Sequence, residues 1–197
     1  MVYNGREGPK FQIGGRPVLS RDGRVMAYWA SLDGESHSVR VGDREGPSFD
    51  YVTDPAVSAD GSTVAYGAER DGRWVLRVGA EERPLAAQPR MVFVSPDGRR
   101  VGWVEFQPLK AGGSKMRVVA EGAAGEYFGI VGNPSFSPVD STVVYGAEEA
   151  GRKVLVIGTR KVETPDRVGD PSFSPDGRRV GYGAQVGRDL LWKVIKD

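Results

Sequence analysis

Two aspartates, Asp54 and Asp170, each stand immediately before a proline. A pair of carboxylates is what a glycoside hydrolase uses to protonate a leaving oxygen and to activate water or form a covalent intermediate, in a geometry set by their separation. Aspartate before proline is also a common turn former, so the pair by itself selects no chemistry. Other catalytic candidates are few. The chain has no cysteine and one histidine, His37, in the polar stretch LDGESHS. That histidine reads as a solvated loop residue at a strand start, without the companion ligands a metal site needs. Serine catalysis needs a base and an orienting group, and no G-x-S-x-G is present. The stretch GYGAQVG (181–187) has the wrong final spacing for a dinucleotide fingerprint, and no helix follows it. No catalytic residue, metal or cofactor is expected, and the chain is expected not to be an enzyme.

The elements that would position any site come from a repeat. FVSPDGRRVGW (93–103) is nearly rewritten as FSPDGRRVGY (173–182). Aligned on this turn the chain holds five copies, with Ser20, Ser58, Ser95, Ser137 and Ser174 spaced 38, 37, 42 and 37 residues apart. An aromatic follows eight residues after each serine: Tyr28, Tyr66, Trp103, Tyr145 and Tyr182. Self-similarity at such a period marks a repeat architecture. In the turn, Pro presets φ, Asp bonds nearby backbone and Gly accepts positive φ. The fourth copy puts Val139-Asp140 where the others have Asp-Gly, so a slightly strained turn with Asp140 in the left-handed region is expected there. A serine needed five times is a turn residue, and an aromatic repeated at one strand position fills the core between sheets.

Short β-branched runs bounded by Gly follow each turn, and no window holds a helical apolar period. The reading is all-β: a five-bladed β-propeller with four antiparallel strands per blade. Arg6-Glu7-Gly8-Pro9-Lys10-Phe11 matches Arg44-Glu45-Gly46-Pro47-Ser48-Phe49, an outer strand, while the chain stops after the third strand of the fifth copy. The N-terminal strand is therefore expected to complete the last blade and close the ring, removing exposed edges. One domain over 1–197 is expected, with blades at about 17–49, 55–87, 92–130, 134–168 and 171–197 plus 1–11.

The motif F-S-P-D-G-R-x-V-x-Y, in five tandem matches with a ring-closing first strand, resembles the TolB-type, WD-repeat-like β-propeller family across the whole chain. The resemblance departs in blade number, five here against the usual six, and in the lack of an accompanying domain. It implies a binding platform. Four of the five innermost strands are expected to begin at Pro17, Pro55, Pro134 and Pro171, preceded by Arg16, Asp54, Asn133 and Asp170, with Met91 at the matching place in the third copy. These positions are equivalent in the repeat yet differ in chemistry. They are the candidate ligand-binding residues at the channel mouth, joined by Tyr51 and Tyr127 from the adjoining loops.

The function expected is a non-catalytic scaffold that presents loops to a protein or peptide partner. The alternatives are a glycoside-processing hydrolase using Asp54 and Asp170, and an excised or engineered propeller without activity of its own. Lys plus Arg number 27 and Asp plus Glu 26, a net charge of +1 without a basic block, so no nucleic-acid partner is expected. No apolar run reaches the ~20 residues of a membrane helix and no signal peptide opens the chain. A soluble monomer away from membranes is expected, in a compartment the sequence does not specify.

Overall fold

The repeated serine is a hydrogen-bonded hub. In the second copy the Ser58 hydroxyl donates to Asp60 Oδ1 at 2.6 Å and accepts from Thr63 N at 3.0 Å. Ser20, Ser95 and Ser174 make the same two kinds of bond. Their glycines, Gly23, Gly61, Gly98 and Gly177, take φ of +70° to +74°. The fourth turn corrects the expectation. Neither Val139 nor Asp140 has positive φ; the Ser137 hydroxyl accepts from both their amides, and Asp140 receives Thr142 N at 2.9 Å. Without a glycine the backbone reaches the same reversal by a route open to any L-residue.

The computed structural model describes residues 2–3, 6–7, 9–110, 112–164 and 168–196. Among these there are 24 strands and no helix, hence no helix long and apolar enough to cross a membrane. A short hairpin, β1 (Val2–Tyr3) with β2 (Arg6–Glu7), precedes five antiparallel sheets. The first holds β3 (Ile13–Gly14), β4 (Val18–Leu19), β5 (Met26–Ser31), β6 (His37–Val41) and β7 (Arg44–Phe49). The second holds β8 (Tyr51–Val52), β9 (Ala56–Val57), β10 (Val64–Arg70), β11 (Arg73–Val78) and β12 (Glu81–Pro84). The third runs β13 (Pro89–Val94), β14 (Val101–Pro108), β15 (Ser114–Ala120) and β16 (Ala123–Ala124). The fourth holds β17 (Ile130–Val131), β18 (Ser135–Phe136), β19 (Val143–Glu149), β20 (Arg152–Ile157) and β21 (Arg160–Glu163). The fifth runs β22 (Ser172–Phe173), β23 (Arg179–Val186) and β24 (Asp189–Lys196). By contacts the chain forms two compact units, Met1–Val92 and Phe93–Asp197.

The prolines do not start the innermost strands; they divide them. β3 and β4 both pair with β5 on either side of Pro17, β8 and β9 with β10 around Pro55, and β17 and β18 with β19 around Pro134. Proline has no N–H to give the ladder. The third copy, which has Met91-Val92 at this place, runs unbroken as β13.

Within each unit the sheets pack through the predicted aromatics. Tyr66 and Ala68 of the second sheet cover Val39 and Phe49 of the first. Tyr182, Val180 and Ala184 of the fifth cover Leu155 and Ile157 of the fourth. Tyr28, Tyr66, Tyr145 and Tyr182 are buried, whereas Trp103 is half-buried. Burial pushes the Tyr66 and Tyr145 hydroxyls up to about 12.

Ring closure by the first strand is not what the pairing displays. Val2–Tyr3 pairs with Arg6–Glu7, and among the described residues β24 pairs with β23 alone. A hairpin between segments two residues apart closes with little loss of chain entropy. The face of β24 stays open, with Leu190 83 %, Trp192 86 % and Val194 66 % exposed.

Candidate functional site

Asp54 sits between the two halves of the second sheet's divided strand, exposed to solvent. Its Oδ1 accepts the indole N–H of Trp29 at 2.8 Å. Trp29 is half-buried on β5 and reaches the aspartate because Gly15 leaves room: a β-carbon at Gly15 would stand 2.0 Å from Nε1. The chain around Gly15 is held by its amide on the Trp29 carbonyl at 2.9 Å. Arg16 follows, exposed and making no ion pair among the described residues. Trp29 therefore joins two candidate positions to one cluster.

That cluster continues as a row of rings. Trp29 and His37 have centroids 5.5 Å apart, His37 and Tyr51 6.0 Å, and Tyr51 and Trp74 5.7 Å. His37 is not the solvated loop residue expected. It begins β6, half-buried, with Nδ1 2.9 Å from the Asp50 carbonyl. A carbonyl only accepts, so Nδ1 carries the proton in neutral His37 and Nε2 keeps its lone pair. Tyr51 is 46 % exposed on β8.

Trp29 and Trp74 escaped the sequence reading. Nine residues after the turn serine the other copies have Gly67, Val104, Gly146 and Gly183, so Trp29 breaks its own repeat. The small residues there admit the next segment: a β-carbon on Gly67 would lie 2.3 Å from Pro89 Cγ. A bulky ring in a slot that the other repeats keep small was the legible signal.

In the second unit, Asn133 and Asp170 come together. The Asn133 amide donates from Nδ2 to Asp170 Oδ2 at 2.6 Å, and both residues are exposed. Met91 lies half-buried on β13 without a polar partner to give. Tyr127 engages its own sheet. Its hydroxyl donates to Glu105 Oε1 at 2.9 Å, and Lys115 Nζ lies 4.1 Å from its ring centroid. Glu105 is 7 % exposed and receives Arg117 through Nε at 3.0 Å and Nη2 at 3.1 Å. Desolvation, then the Glu105 carboxylate, raises the Tyr127 hydroxyl above its ordinary value. This buried carboxylate is fully partnered, as burial demands. Among the described residues no group of three or more His, Asp and Glu could hold a metal ion.

No family model matches the chain, and no curated protein does. Solved structures do. TolB from Acinetobacter baumannii is 15 % identical with a TM-score of 0.52, over 93 % of this chain and 52 % of that one. An acylaminoacyl peptidase from Pyrococcus horikoshii is 13 % identical with a TM-score of 0.60, over 94 % and 38 %. The β-propeller domain of the trilobed protease from Pyrococcus furiosus, described as having an open velcro topology, is 11 % identical with a TM-score of 0.56, over 92 % and 68 %. The chain thus spans about half the length of that TolB and under two fifths of that peptidase. Five successive antiparallel sheets, four of them carrying a buried tyrosine at one strand position, match these structures in fold: this is an all-β chain with the fold of the β-propellers of TolB and the trilobed protease.

Proposed function

We propose that this chain is a non-catalytic binding propeller that presents the segments around its divided inner strands to a protein or peptide. What supports the reading most is the Trp29–Asp54 bond. A residue foreign to the repeat is held open by Gly15 and bonded to a candidate carboxylate at the surface. Rigid strands displaying unlike residues at equivalent places suit recognition. Asp54 and Asp170 are each bonded to a neutral donor and exposed, a setting for contact rather than for proton transfer.

The same reading takes the five repeats as five blades of a single domain. We propose that residues 6–11, which share the letters of the outer strand Arg44–Phe49, close the ring by pairing with β24. By the register of β6 with β7, where Arg40 faces Glu45, Lys193 would then face Glu7.

The experiment is capture by the immobilised chain, compared with an Asp54→Ala/Asp170→Ala variant. A protein held by the wild type and lost by the variant is the expected result. Capture unchanged by the double substitution would place the site elsewhere. Turnover of aryl glycosides that the same substitution abolishes would replace binding by catalysis.

A further inference from the structure

We propose that the ring row Trp29, His37, Tyr51 and Trp74, with the carboxylates of Asp54 and Glu69, binds a basic peptide segment whose Lys or Arg side chains lie on the rings. This deepens the binding reading above and rests on it.

The row is not something the fold requires. The repeat equivalents of Trp29 are Gly or Val. Trp74 pairs with Glu69, eleven residues after its turn serine, and the same strand position holds Met116, Lys153 and Leu190 in the third, fourth and fifth sheets. Continuing the register of β5 with β6 by one residue puts His37 at that position in the first. Tyr51 likewise corresponds to Ile13 and Ile130. Only the first two repeats place rings there, and they place four in contact.

The charge around the row is two carboxylates, Asp54 and Glu69, against the exposed guanidinium of Arg16, which follows Gly15 beside Trp29. Glu69 on β10 lies directly between Tyr51 of β8 and Trp74 of β11. Neither Glu69 nor Asp54 forms an ion pair among the described residues, although arginines are near in sequence. Arg70 and Arg77 go to Glu82, and Arg40 goes to Glu45. Arg73 falls on the face of β11 opposite Trp74, by strand alternation. Aromatic faces attract cations through their quadrupole, and carboxylates beside them strengthen that attraction. His37 adds the Nε2 lone pair, an acceptor for a further N–H.

The tilt of the rings argues against a flat sugar surface, which would need rings that share a plane, whereas neighbouring planes here differ by 53°, 48° and 68°. A peptide laid along the row can turn successive side chains to unlike surfaces. Three centroid steps of 5.5, 6.0 and 5.7 Å limit the row to the length of at most roughly five residues of extended chain at about 3.3 Å each.

The test titrates a capped hexapeptide carrying two arginines, its lysine and glutamate analogues, and cellohexaose into the whole chain by calorimetry. The arginine and lysine peptides should bind, more weakly at higher salt, and the glutamate peptide should not. Asp54→Asn, Glu69→Gln and Tyr51→Ala should each weaken binding about five-fold, while Tyr51→Phe and Glu121→Gln, the latter exposed in a hairpin of the third sheet, should bind as the wild type does. Basic peptides that fail to bind, or that bind all these variants equally, would overturn the proposal. Binding of cellohexaose lost in Tyr51→Ala would replace the peptide by a carbohydrate. If the peptides fail while capture is still lost in the Asp54→Ala/Asp170→Ala variant, the ligand class is wrong and the binding reading stands. If both fail, both fall.

Discussion

At the scale of single residues, the turn serines carry more than their size suggests. Ser58 is 1 % exposed, and its hydroxyl satisfies Thr63 N while donating to Asp60. Ser58→Ala removes both of these bonds from the turn and should destabilise by about 1–2 kcal/mol, read from the urea midpoint. The Ser58 hydroxyl, then Ser62, holds the Asp60 carboxyl down to about 2. A depressed carboxyl stabilises the folded chain above its ordinary value of 3.8 and ceases to do so as pH falls toward 2. Asp22, Asp97 and Asp176 are lowered by the same serine bond, each with its own repeat. Stability should therefore drop between pH 4 and 2, less steeply in Asp60→Asn. The serine and aspartate were readable as turn chemistry because they recur. Trp29 does not recur, and its signal is legible only by comparing copies at a place where the others have Gly or Val.

Among the strands, the hairpins show how sequence and conformation can disagree. Asp71-Gly72, Glu121-Gly122 and Ala150-Gly151 all turn with positive φ at both residues. Asp tolerates this well, Ala poorly: Ala150 sits at φ +50° with Gly151 at +79°. An Asn-Gly pair fits such a turn best. Ala150 is exposed, so Ala150→Asn should stabilise by about 1 kcal/mol through relief of that strain. Thermal unfolding measures it, and no gain would mean that the turn is not strained. The strand order followed from turn spacing and β-branched runs. The division of inner strands at Pro17, Pro55 and Pro134 did not, because a proline can begin an edge strand as readily as interrupt one. The unbroken β13, lacking that proline, distinguishes the two cases.

For the molecule as a whole, the five copies made the all-β propeller class legible, and closure is the part that local pattern could not decide. Residues 6–11 carry the letters of an outer strand, and Phe11 already packs on Tyr28 at 5.9 Å as Phe49 does on Tyr66 at 6.3 Å and Phe128 on Tyr145 at 6.1 Å. An aromatic that follows one sheet and rests on the next is thus present before the first sheet too. The chain has no cysteine, so Glu7→Cys/Lys193→Cys places the sole two thiols where the proposed register would make them neighbours. Disulfide geometry tolerates Cα separations of only about 4.4–6.8 Å. An intramolecular disulfide under mild oxidation is the expected product. Thiols that stay free, or that join only different chains, would rule the closure out.

Trp192 then becomes an optical gauge of the same event. An indole standing 86 % in water emits at long wavelength, as free tryptophan does. Once a strand or sheet lies across it, the surrounding dielectric falls and the emission moves to the blue. Trp29, Trp74 and Trp103 emit as well, so the difference in ultraviolet fluorescence between the chain and Trp192→Phe would report, without any label, how much of the population has its last strand covered.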